Sequence, residues 1–145
     1  MVLASAILSL ILAASEFTPK NDFTVAVTVF RGLRPFWTYR LSGESIEITR
    51  HYADGRRNAE VLKRNLTVKE IKRLDRFFSA FPLRTLQHRY VDEGVDGDSC
   101  LRYNVKINRG EQEAYVCYAR PAELASLDRA INRLLPRQYR LWTAD

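Results

Sequence analysis

The chain has 145 residues, 46% of them hydrophobic and 28% charged, with a formal net charge of +6 and a pI near 9.6. That length gives one domain with room for a hydrophobic core, and the apolar fraction excludes an intrinsically disordered chain. The positive balance suits an anionic partner, yet the basic residues are scattered, with nothing denser than pairs such as Arg56-Arg57 and Lys63-Arg64.

Residues 1–15 read as a signal peptide. Val2–Ala14 is apolar apart from two serines, which is the length of a secretory core and short for a bilayer span. Ala13-Ala14-Ser15 offers small residues to a signal peptidase. No Lys or Arg precedes the apolar run, a departure from the usual pattern, and no cysteine follows it to carry a lipid. Residues 16–145 are then a single secreted α+β domain with no stable membrane anchor after signal removal. Its expected location is secreted or periplasmic, which argues against a nucleic-acid partner.

Four strands come first. Phe23–Phe30 alternates, with Phe23, Val25, Val27 and Val29 on one face. Phe36–Leu41, Ser45–Tyr52 and Arg57–Lys63 follow, with turns at Ser42-Gly43-Glu44 and Asp54-Gly55. The pattern predicts an antiparallel meander with one apolar face. Thr67-Val68-Lys69-Glu70 then fits a capping box. Val68, Ile71, Leu74, Phe77, Phe78 and Phe81 recur at helical spacing before Pro82, while Asp75 is expected to face water.

Leu83–Asp98 reads as a long polar connection with a short extended segment around Leu86–Tyr90. Asp92–Asp98 packs four carboxylates into one stretch, but the spacing does not match an EF-hand loop, and a solvated turn is the expectation.

Asp96–Arg120 predicts a hairpin carrying the only two cysteines. Leu101, Tyr103, Val105 and Ile107 alternate with polar residues, and Asn108–Glu111 makes the turn. An Asn108-Arg109 loop sets Cys100 directly opposite Cys117, whereas an Arg109-Gly110 loop sets Cys117 opposite Arg102 with Cys100 diagonal to it. A three-residue loop would flip the faces. With an export signal, a Cys100–Cys117 disulfide is expected. Pro121 opens a last helix whose stripe is Leu124, Leu127, Ile131, Leu134 and Leu135, and Pro136 ends it. The fold class is α+β: antiparallel meander, helix, hairpin and helix, with both helices on one face of the sheet.

No catalytic residue, metal ligand or cofactor is assigned. His51 and His88 lie at no metal-ligand spacing, and no Gly-rich phosphate loop or nucleophile elbow is present. A sheet face bearing Trp37, Tyr39, Arg40, Arg102 and Tyr115 is the conceivable nucleic-acid surface.

The segments LTVKEIKRLDRFFSAFPL, CLRYNVKI and PAELASLDRAINRLLP give the chain its landmarks. Their order resembles small secreted bacterial domains and, separately, over residues 23–136, emfourin-type inhibitors of thermolysin-like metalloproteases. The resemblance implies an α+β inhibitor fold and carries no inhibitory residue with it. The reading is therefore a secreted, non-catalytic binding domain with another protein as partner, protease inhibition being one form of it. Arg31–Pro35, Asp54–Arg57 and Asn108–Glu111 are the candidate contact loops. Two alternatives stay open. One is a small hydrolase-like enzyme using His51, His88 or a carboxylate of Asp92–Asp98. The other is a basic module for anionic envelope polymers. No motif encodes the oligomeric state.

Overall fold

A computed structural model describes residues 17–91 and 99–141. The signal segment, the acidic stretch Asp92–Asp98 and Trp142 lie outside the described residues. The strands are β1 (Phe23–Arg31), β2 (Arg34–Ser42), β3 (Ser45–Arg50), β4 (Ala59–Asn65), β5 (Arg89–Val91), β6 (Ser99–Ile107) and β7 (Gly110–Cys117). They form one mixed sheet in the order β4-β3-β2-β1-β6-β7-β5. Two helices, α1 (Val68–Ala80) and α2 (Ala122–Asn132), complete the α+β architecture.

Alternation along the strands decides which face is covered. Val27 lies opposite Tyr39 on one side and Tyr103 on the other, and Val25 lies opposite Leu41 and Val105. All six are at most 6% exposed. The helices bury their stripes against this face: Leu74 and Phe78 from α1, and Leu124, Leu127 and Ile131 from α2. Phe78 stacks on Phe23 with ring centroids 4.4 Å apart. The opposite face of the sheet carries Thr24, Arg40, Glu47, Asn104 and Lys106, and neither α1 nor α2 packs on it.

Local chemistry sets the helix boundaries. Thr67 caps α1: its hydroxyl accepts from the Glu70 amide at 3.2 Å, and the Glu70 carboxylate accepts from the Thr67 amide at 2.9 Å. Arg64 grips that carboxylate with both terminal nitrogens and donates to the Leu134 carbonyl at 2.7 Å, tying the start of α1 to the chain just after α2.

Three expectations are corrected. The fourth strand runs Ala59–Asn65 rather than Arg57–Lys63. The Asp54-Gly55 turn sits inside a longer connection, 51–58, closed locally by Asp54 accepting from the Arg56 amide, so it does not join two strands directly. Second, the extended segment after α1 is Arg89–Val91, and it pairs parallel with β7. β4 and β5 occupy opposite edges of the sheet, so the connection containing α1 crosses its whole width and delivers β5 in a parallel sense. Third, Asp75 does not face water. It is 6% exposed and accepts from the Asn21 amide at 2.8 Å and the Lys20 amide at 3.2 Å, anchoring the chain that leads into β1. Burial pushes its carboxyl up, but these hydrogen bonds outweigh that and hold it below the usual carboxylate range.

The hairpin of β6 and β7 takes the two-residue loop Asn108-Arg109, with Ile107 opposite Gly110 and Cys100 opposite Cys117. Ladder pairs in an antiparallel ribbon alternate between wide and narrow. The cysteines fall on a narrow pair, with Cα atoms 4.5 Å apart, and form the disulfide. It lies on the face away from the helices, and each cysteine is 8% exposed.

Candidate functional site

The β1–β2 turn is Gly32-Leu33, with Arg31 opposite Arg34. Gly32 has φ 58°, the positive value that the first central position of a type II′ hairpin requires. This rigid turn pushes Leu33 into solvent at 97% exposure. Just behind it the register slips: Val29 pairs with Trp37 and Phe30 with Pro35, leaving Phe36 as an extra residue on β2. A bulge of this kind re-aims side chains. Here the sequence neighbours Phe36 and Trp37 line the same cavity, with their rings edge to face and 5.5 Å apart.

A chain of arginines and rings runs from this bulge. The Arg31 guanidinium lies 4.1 Å from the Phe36 centroid. Arg50 is caged by three rings, at 5.4 Å from Phe36, 5.5 Å from Trp37 and 5.2 Å from Tyr52. Its Nε is buried and meets no hydrogen-bond partner among the described residues, and the ring faces surround the guanidinium. Arg56 lies 4.4 Å from the Tyr52 ring and pairs with Asp54 at 2.7 Å. The Asp54 carboxyl is held below its ordinary value, first by the Arg56 amide and then by the Arg56 charge. Two candidate contact loops, Arg31–Pro35 and Asp54–Arg57, therefore meet at one end of the sheet. The third, Asn108–Glu111, lies at the other end, where Ile107 pairs with Phe23.

Behind the ladder is a cavity of about 310 Å³ between the sheet end and the tail after α2. Val29, Trp37, Leu101 and Leu141 form its apolar walls. Tyr139 reaches back over Trp37, centroids 6.5 Å apart. Arg31, Arg120 and Arg140 supply charge, and among the described residues no Asp or Glu lines it.

Arg120 connects the cavity to the core. Its Nη1 lies 3.2 Å from Oδ2 of Asp128, which is fully buried and accepts from the Tyr103 hydroxyl at 2.8 Å. Burial pushes Asp128 up to about 6, against the pull of Arg120 and the Tyr103 hydrogen bond. Burial and the neighbouring carboxylate push the Tyr103 hydroxyl up as well, so it remains a donor. Sequence reading passed over this cluster. The available signal was Asp128 itself, a carboxylate four residues after Leu124 on an otherwise apolar stripe.

The other singled-out residues do not converge. The His51 ring sits 2.7 Å from the Thr38 hydroxyl on the open face, and exposed His88 meets the Glu113 carbonyl at 3.2 Å. Among the described residues neither histidine bonds to a carboxylate, and no group of His, Cys, Asp and Glu could hold a metal ion. Trp37, Tyr39, Arg40, Arg102 and Tyr115 do not share a surface: Trp37 and Tyr39 face the helices, and Arg40, Arg102 and Tyr115 face the other way. A shallow groove of about 400 Å³ on that open face is lined by Thr24, Arg40, Ser42, Asn104 and Lys106 among others.

Searches against protein-family models and against characterised proteins find no match for this chain. Among the described residues no helix is long and apolar enough to cross a membrane.

Proposed function

We propose that the protein is a secreted or periplasmic, non-catalytic binding domain that takes an acidic surface of another protein against the Arg31–Arg50–Arg56 end of its sheet. The observation that carries this is the stacking of three arginines on Phe36, Trp37 and Tyr52, with Leu33 projecting beside them. Arginine and aromatic side chains carry much of the energy of protein interfaces. Guanidinium groups already ordered on rings lose less freedom when a carboxylate arrives. Export is supported by the apolar leader and by a disulfide, a bond that persists in oxidising compartments.

The test is capture from envelope and extracellular fractions of the source organism with wild-type protein and with the double variant Arg31→Glu, Arg56→Glu. A partner retained by the wild type and lost by the variant supports the reading. Equal capture by both removes it. Retention of a carbohydrate or phosphate polymer in place of a protein would favour the envelope-polymer alternative. A second reading, protease inhibition, follows from Leu33: an apolar side chain on a two-residue turn suits insertion into an apolar enzyme pocket. Inhibition of a metalloprotease panel by wild type and not by Leu33→Asp supports it, and no inhibition of any member removes it.

A further inference from the structure

The cavity behind the ladder offers a hydroxyl donor beside its charged and apolar groups. Tyr39 is 6% exposed and lines the cavity. Among the described residues nothing hydrogen-bonds to its hydroxyl, and burial alone pushes that hydroxyl up to about 12, so it is a donor at any ordinary pH. Protein atoms do not seal this hydroxyl, so it presents a donor to whatever fills the cavity. The walls are apolar, from Val29, Trp37, Leu101 and Leu141. Among the described residues the charges are all of one sign, and Arg120 pairs with a carboxylate, that of Asp128 beneath it. A water can accept from Tyr39, whereas an anion also answers the positive charge of Arg31, stacked on Phe36, and of Arg140, whose Nε donates to the Leu135 carbonyl at 3.3 Å.

From this juxtaposition of a tyrosine hydroxyl that meets no acceptor among the described residues with arginines and apolar walls, we propose that the cavity binds a carboxylate carried on an apolar body. The apolar body packs between Trp37 and Leu141. The carboxylate accepts from the Tyr39 hydroxyl and lies within the field of the arginines, and such charge-assisted bonds are the strong ones. A small organic acid and the free C-terminal carboxylate of a peptide ending in an apolar residue offer the same chemistry. The cavity shares Arg31, Phe36 and Trp37 with the ladder, and the inference is separated from the protein-binding reading by turning on Tyr39, which the ladder does not use.

The experiment is an NMR and calorimetric titration of the purified full chain with 3-phenylpropionate, with its amide, and with Ala-Ala-Phe bearing a free or an amidated C-terminus. At least one free carboxylate should bind saturably and move the Tyr39, Trp37 and Leu141 resonances, with its amide weaker by about tenfold or more. Binding by phenylpropionate alone assigns a small acid, and much tighter binding by the peptide assigns a chain end. Tyr39→Phe, which keeps the ring, should weaken binding about fivefold with an unchanged melting temperature. Arg140→Gln, at the exposed rim, should weaken it in the same direction. No saturable binding in either carboxylate arm, equal binding of acid and amide, or full affinity in Tyr39→Phe would each overturn the proposal. No partner protein is in the tube, so a failed capture experiment leaves this result intact.

Discussion

Replacing both cysteines, Cys100→Ala with Cys117→Ala, removes a constraint whose size follows from the fold. The bond joins residues separated by 17 positions. In the chain-entropy treatment a closed loop of that length lowers the freedom of the unfolded chain by about 3 kcal/mol at 25 °C. Roughly 120 described residues, at about 2.1 cal/mol/K each, give an unfolding entropy of about 0.25 kcal/mol/K, so the melting temperature should fall by about 12 °C. The folded state should not change. The register is fixed independently by the Asn108-Arg109 loop and by Tyr103, Val105, Ala114 and Val116 in the core. Calorimetry of wild type and variant, with amide exchange across β6 and β7, measures both halves of this. A shift below about 3 °C would refute the entropic reasoning. Loss of protection in β6 and β7 at 25 °C would refute the claim that turn and core set the register.

Two carboxylates pull stability in opposite directions with pH. Burial raises Asp128 from 3.8 to about 6, so between those values the folded state keeps a proton the unfolded chain has released. Stability falls by roughly 3 kcal/mol as pH rises through that window. Glu70 is lowered from 4.5 to about 2, chiefly by Arg64, so its contribution is complete above 4.5 and is lost as pH falls toward 2, again by roughly 3 kcal/mol. Urea unfolding across the range should peak at about pH 4. Asp128→Asn should abolish the decline above that peak, and an unchanged decline would show that another group causes it. Thr67→Ala should cost about 1 kcal/mol in the same assay through loss of the cap, with Thr67→Ser close to neutral. Tyr118 has φ 63°, so Tyr118→Gly should be more stable than Tyr118→Ala by about 1 kcal/mol, and the reverse order would contradict the strained backbone.

Regular features were legible in the sequence because each one repeats or marks a boundary. The alternation from Phe23 to Val29, the capping box at Thr67 and the leucine stripe from Leu124 all act locally, and each appears where its period places it. The cysteine pairing depended on loop length, and the Asn108-Arg109 loop selects the direct pair among the registers considered. What escaped was non-local. Asp75 and Asp128 are polar residues on apolar stripes, and their partners are distant: Asn21 for one, Tyr103 and Arg120 for the other. The bulge at Phe36 has no sequence signature, yet it turns Phe36 and Trp37 into one cavity wall. The meeting of Arg31 with Arg50 and Arg56 required knowing that the 51–58 connection returns to the β1–β2 turn end, where the His51 amide donates to the Phe36 carbonyl at 3.0 Å.

The central claim is that the Arg31–Arg50–Arg56 end of the sheet recognises an acidic protein surface. The most direct test is quantitative capture from envelope and extracellular fractions, comparing wild type with Arg31→Glu, Arg56→Glu at two salt concentrations. The account predicts a protein partner bound by the wild type, weakened by salt and reduced at least about tenfold by charge reversal. Capture that is indifferent to both salt and charge reversal would contradict it.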